Sequence, residues 1–471
     1  MITIDYCMKR RSPRGFAGAC WLWILVFVAQ PAIAQTNFTM LKSLTLPEGA
    51  IPFCTLLAGS DGALYGTTAA GGTSNLGAVF KLNKDGSKFA TLKSFVGTDG
   101  ANSIAGLLEG TNGALYGTTK AGGSSNFGTV FKINKDGNGY TVLHSFLNGA
   151  DGKNPMSALI KGSDNALYGT TDFGSGTTRG TVFTMDHNGN NYTVLHTFTG
   201  NPDGQQIQSK LVESTNGSLY GTTFFGGTTV LGVVFKMDKD GNNYAVLHTF
   251  QGTGGDGRNP AAGLLEASDG MLYGTAYNGG SANVGAIFTM NHDGSVYSVV
   301  RNFLTTGGDG QHPDTDLVEG ADGALYGATE RGGTAGHGTV FKMNKDGSGY
   351  TVLHSFTAAG GDGDTPYAAL TDGRDGVFYC STELGGDIGG GCIFALSSVP
   401  LQPRVISLFP SSNSNTVQFA GTSAIQYDVL RSTNLASWSS LTTLTAPLNG
   451  RFGYTDLNPP TPAAFYRLQK H

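Results

Sequence analysis

One phrase recurs along the whole chain. Leu-Tyr-Gly-Thr-Thr ends at Thr68, Thr119, Thr171 and Thr223, and close variants occupy Leu272–Ala276, Leu325–Thr329 and Phe378–Thr382. Taking the Tyr as origin gives Tyr65, Tyr116, Tyr168, Tyr220, Tyr273, Tyr326 and Tyr379, spaced 51, 52, 52, 53, 53 and 53 residues apart. Self-similarity at such a period marks a repeat architecture, in which each unit is one supersecondary module. The interior offsets do not drift. Gly stands 12 residues after the Tyr (Gly77 to Gly391) and Phe 15 after (Phe80 to Phe394). An acid stands 17 before: Glu48, Asp99, Asp151, Asp203, Asp256, Asp309 and Asp362. Length varies only just ahead of that acid, which places a surface loop there.

Each unit reads as four short strands. In the second unit they fall near 104–109, 114–119, 129–134 and 140–146. Thr-Asn-Gly and Lys-Asp-Gly between them supply the residues that tight hairpin turns need. The apolar runs are too brief for helices. The composition agrees, with 73 Gly in 471 residues and only 13% charged, against averages of about 7% and about 25%. The seventh unit lacks its fourth strand, while Phe38–Leu44 matches the fourth strand Tyr140–Phe146 position by position. These features predict an all-β chain: a seven-bladed β-propeller closed by the N-terminal strand, followed by a small β-sandwich.

The pattern Asp-Gly-x-Leu-Tyr-Gly-Thr-Thr, then Gly-Gly, then Gly-x-Val-Phe-Lys, resembles the GloVer-type tandem repeat of secreted bacterial proteins, a choice-of-anchor family. The resemblance covers residues 35–399 and brings no activity or ligand with it. The chain ends Tyr466-Arg-Leu-Gln-Lys-His471 without the apolar tail of anchored members. Tyr427–Trp438 and Phe465–Leu468 resemble immunoglobulin- or fibronectin-like tail modules. The expected domains are a signal peptide at 1–34, the repeat domain at 35–399 and the tail module at 400–471.

Lys9, Arg10, Arg11 and Arg14 precede an apolar run, 16–28, and Ala32-Ile33-Ala34 is a small-residue cleavage site. This is the layout of a secretory signal peptide. Its removal leaves 25 basic and 33 acidic residues, a net charge of −8, which disfavours nucleic acid and anionic membrane as partners. No later stretch is apolar enough to span a bilayer. The expected location is secreted or cell-surface.

Three cysteines remain after processing. Cys380 and Cys392 lie on neighbouring strands of the seventh unit, and an oxidising compartment would allow a disulfide between them. Cys54 is expected to be a free buried thiol. No zinc-type spacing occurs, and no cofactor is implied.

The repeated acids have two readings: an acidic ring for ligands, or side chains that hydrogen-bond their own loop backbone. His144, His196, His248 and His354 share an offset that Lys42, Lys93 and Arg301 fill elsewhere. They sit on different units and read as a basic surface position. Residues that break the repeat are the better candidates for a ligand site. The sixth unit carries His312, Asp314, Asp316, Glu330, Arg331 and His337, and the seventh adds Glu383 and Asp387. Together they form the densest titratable cluster in the loops. The first expectation is a secreted binding or scaffold protein, more a binder than an enzyme, recognising an extracellular glycan or protein. The rival is an exported polysaccharide lyase or hydrolase with its site at the channel mouth.

Overall fold

The computed structural model describes residues 37–174, 179–359, 361–397, 404–410, 414–420, 426–434, 437–445, 451–460 and 464–470. The signal-peptide reading of residues 1–34 and the 399/400 boundary lie outside these. The described residues belong to one compact unit, Gln35–His471.

Each complete repeat folds into one antiparallel four-stranded sheet with its strands in chain order. In the second repeat these are Leu108–Glu109, Leu115–Thr119, Thr129–Ile133 and Thr141–Ser145. The first strand is only two residues long. The second is buried along its whole length, because sheets pack against both of its faces. Between the third and fourth strands the register shifts at Val130/Phe131, and the same shift recurs at the equivalent place in the other complete repeats. Glycine in the second strand is a packing requirement. A Cβ on Gly117 would stand 2.5 Å from the ring of Phe131 on the paired strand. Gly128 has a positive φ of 102°, and a Cβ there would meet the carbonyl of Thr119 at 2.4 Å.

The seventh repeat supplies three strands, Thr371–Asp372, Phe378–Thr382 and Cys392–Ser397, and the N-terminal strand Asn37–Ser43 pairs antiparallel with the last of them. Repeats five to seven carry an extra two-stranded sheet each, such as Gly310–Gln311 with Arg331–Gly332, which the sequence pattern does not announce.

The hydrogen bonding corrects the expected seven-bladed β-propeller and the keyword that went with it. Every ladder stays within its own small sheet. Among the described residues no sheet is closed into a barrel, and no ladder joins the sheets into a closed propeller. The chain is all-β, built of many small antiparallel sheets. Consecutive sheets meet through side chains instead. One buried cluster joins Tyr116 and Phe146 to Leu167 and Phe183 of the next repeat, and another joins Val377 and Tyr379 to Leu56 and Phe80. At the C-terminus two three-stranded sheets share a core of Val417, Phe419, Tyr427, Val429 and Leu468.

The expected Cys380–Cys392 disulfide is also corrected: Cys54, Cys380 and Cys392 are all free and buried. The register places Cys392 opposite Thr382 and Cys380 opposite Phe394, so the two thiols sit on a diagonal rather than face to face. Each finds another partner. Cys380 Sγ donates to the Ala368 carbonyl at 3.1 Å, and Cys392 Sγ lies 3.2 Å from Thr382 Oγ1.

Candidate functional site

Two residue columns, each at a fixed distance from the repeat Tyr, decide where chemistry can occur. Twelve residues before each Tyr lies the approach to the first strand. The side chains at this offset are Phe53, Ile104, Met156, Gln208, Ala261, Asp314 and Tyr367, one per repeat, and all seven line both of two cavities. Asp314 is the single carboxyl among them. Four residues after each Tyr the second strand has just ended. Here Ala69, Lys120, Phe224, Tyr277 and Glu383 line the smaller cavity, of about 630 Å³. Asp172 and Glu330 hold the same offset in their repeats but are each only 3% exposed, behind the wall.

Carboxyls gather on the side built by repeats six and seven. Asp314 is pushed up to about 8, first by burial and then by the charges of Glu330 and Asp316. Burial also raises Glu383, with Glu330 and Asp364 adding to the effect. Glu330 accepts a hydrogen bond from the Tyr277 hydroxyl and pairs with Arg331 Nε at 3.0 Å. Burial, followed by these carboxylates, raises the phenols of Tyr277 and Tyr367. Asp316 faces the larger cavity, of about 940 Å³, where it meets Lys210 Nζ at 2.8 Å and accepts from the Gly263 amide.

The other candidates have separate surroundings. His312 has φ +56° and sets its Nδ1 3.1 Å from the Tyr277 carbonyl, with its ring against that of Tyr277. His337 pairs with Asp364 at 2.9 Å. Arg331 is exposed beyond Glu330. Asp387 is exposed and its amide donates to Ser43 Oγ of the N-terminal strand, away from both cavities. Of the predicted cluster, Asp314, Asp316, Glu330 and Glu383 are therefore brought together, with His312 and Arg331 at the edge. His337 and Asp387 are not. Sequence reasoning missed Lys120, Asp172, Gln208, Lys210, Tyr277 and Tyr367. All six lie at the offsets of Asp314, Glu330 or Asp316, so reading those columns across every repeat would have found them.

The repeated acids form clamps between repeats. Each pairs with the basic residue on the strand before it: Glu48 with Lys42, Asp99 with Lys93, Asp151 with His144, Asp203 with His196, Asp256 with His248, Asp309 with Arg301, and Asp362 with His354. Most also accept from a loop amide, as Asp151 does from Leu147 at 2.9 Å. None of the seven lines either cavity described above. Among the described residues no group of three or more His, Cys, Asp or Glu side chains is placed to hold a metal ion.

A tandem array of small antiparallel sheets, with one residue per repeat contributed to a shared cavity, defines the class of protein. Residues 25–215 and 158–394 match the Gloeobacter/Verrucomicrobia repeat, and the chain belongs to that family. No curated protein matches its sequence. Among solved structures it resembles the extracellular domain of a one-component system from B. thetaiotaomicron, with 11% identity and a TM-score of 0.52. The match takes in 91% of this chain and 54% of that one, so this chain spans about half of that structure's length. It also resembles a fungal alcohol oxidase of the AA5 family, solved with copper, at 13% identity and TM-score 0.51, covering 90% of this chain and 93% of that one. At these identities the likeness is one of fold. It corrects the preference for a non-enzyme, because the shared fold includes an enzyme. Among the described residues no helix is long and apolar enough to cross a membrane.

Proposed function

We propose that the chain is an exported polysaccharide-cleaving enzyme, and that of the two reactions, hydrolysis and elimination, it carries out hydrolysis. One observation supports this above others. Asp314 keeps its proton up to about pH 8 while lining a cavity that Glu383 also faces. Glycosidases need two carboxyls in different protonation states, one to protonate the leaving oxygen and one to activate water or attack carbon. In this reading Asp314 donates its proton to the glycosidic oxygen. Glu383 is the second carboxyl, and Glu330 raises Asp314 through its charge. Elimination would call for a base near neutral pH, and burial makes the Tyr277 and Tyr367 phenols harder to ionise, not easier. Phe53 and Tyr367, with ring centroids 5.1 Å apart, offer a face on which a sugar ring can rest. Export through residues 1–34 and an attachment role for an immunoglobulin- or fibronectin-like module at 400–471 complete the proposal. Likeness to an extracellular domain supports the exported location.

The test is release of reducing ends from a polysaccharide panel by wild type, Asp314→Asn and Glu383→Gln. The reading expects hydrolysis by wild type and a loss of at least about 100-fold in both variants. Unsaturated product ends would move the chemistry to elimination. Binding without cleavage by wild type would return the chain to a glycan-binding role.

A further inference from the structure

The polar residues that line the smaller cavity differ in kind from repeat to repeat. Repeats five to seven contribute Tyr277, Asp314, Tyr367 and Glu383, whereas repeats two to four contribute Asn102, Lys120 and Gln208. Lys120 is the single cationic side chain among the lining residues. Among the described residues its ammonium has no hydrogen bond or ion pair. By contrast, Lys135, Lys239 and Lys345 elsewhere in the repeats are each paired to a glutamate. The charge of Lys120 acts on the buried Asp172, which burial pushes up to about 6, against the charge of Lys120 and a hydrogen bond from the Gln208 side chain, and whose Oδ1 lacks a hydrogen-bond partner. Asn102 stands beside Lys120, its carbonyl accepting from the Lys120 amide at 3.0 Å, and it holds φ +56°. At the equivalent place in the next repeat, Asn154 donates its side-chain amide to the Lys120 carbonyl, whereas no such bond occupies the Asn102 side chain among the described residues. The cavity that Asp314 lines thus also presents the Lys120 ammonium and the Asn102 carboxamide, both able to donate, while the Gln208 side chain hydrogen-bonds Asp172.

We infer that Lys120, with Asn102, receives the anionic group of an acidic polysaccharide. A carboxylate of a uronic acid or a sulfate ester would meet the same donors. This rests on the hydrolase reading for the orientation of the chain but not for the recognition itself. An ammonium in a partly enclosed site gains from an anion what it loses in hydration, and a neutral sugar cannot repay that cost. The other titratable groups that line the cavity are Asp314, Glu383, Tyr277 and Tyr367, and Asp314, holding its proton, sets no charge against the anion.

Binding is measured by calorimetry with the mature chain carrying Asp314→Asn, which removes turnover. The probes are oligogalacturonate, a sulfated galactan oligomer and a neutral xylan oligomer of equal length. Lys120→Met is expected to weaken the acidic probe at least about tenfold and leave the neutral one unchanged, while Lys120→Arg retains most of the affinity. Whichever acidic probe responds identifies the anion as carboxylate or sulfate. Equal affinity of Lys120→Met and its parent for both acidic probes would overturn the inference, as would a preference for the neutral probe. Lys120-dependent binding without any cleavage by the wild-type chain would remove the hydrolase reading and leave this inference standing. Asp314-dependent cleavage of neutral xylan, indifferent to Lys120, would do the reverse.

Discussion

Phe38 stacks on His354, with ring centroids 3.7 Å apart and planes 3° from parallel. The same stack joins His144 to Tyr192, His196 to Tyr244 and His248 to Tyr297, each time between one repeat and a tyrosine at or just before the fourth strand of the next. Phe38 therefore stands where a tyrosine stands in other repeats, but it comes from the opposite end of the repeat array. Its ring also meets Phe356 and Phe394.

Phe38→Ala removes that stack and leaves a gap beside Phe356 and Phe394. Phe38 is half-buried, so the cost is expected at about 2 kcal/mol, below that of a fully buried Phe. Urea unfolding should show a lower midpoint with an unchanged slope.

Gly117→Ala tests the packing of the second strand. The added methyl carbon would lie 2.5 Å from Phe131 and 2.8 Å from Leu107, and both side chains are buried. Overpacking of this kind costs about 1–3 kcal/mol. The same substitution at Gly113, where a Cβ meets nothing within 4 Å but φ is +75°, separates strain from crowding. It should cost less, and thermal denaturation of both variants measures the difference.

Asp314 gives stability a pH dependence of known sign. Its carboxyl titrates at about 8 when folded and at about 4 in an unfolded chain. Between those values the folded state holds a proton that the unfolded state has lost, so stability falls as pH rises through the window. Asp314→Asn should therefore gain on wild type steadily from about pH 4 to about pH 8. Melting temperatures across that range check it. If the carboxyl is the catalytic acid, hydrolysis by wild type should decline above pH 8, as the proton is lost.

The three thiols should be slow to react while the chain is folded. Burial raises all of them, Cys392 up to about 12, and thiolate is the reactive form. An aromatic disulfide reagent should release three equivalents only after denaturation, and reductant should leave the melting temperature unchanged. A mass two units low would point instead to an oxidised pair.

The repeat spacing, the four strands per unit and the family were all legible from residue order. They depend on local rules: alternation along a strand, turn residues at fixed offsets, and a Gly wherever Phe presses on the neighbouring strand. The seven acids at offset −17 were equally visible, yet their partners were not. His144 reaches Asp151 across a loop, so the pair shows only when both columns are set side by side in space.

What residue order could not decide was convergence. Asp314 shares its cavity with Phe53 and Lys120 because side-chain packing brings separate sheets around a common space, and no local pattern encodes that. Asp387 sits in the same run of titratable loop residues and ends up against the N-terminal strand. Cys380 and Cys392 differ from a bonded pair by one diagonal of register. Strand alternation tells which way a side chain points within its own sheet. Which other sheet it meets depends on the summed packing of all seven repeats, and that belongs to the tertiary structure alone.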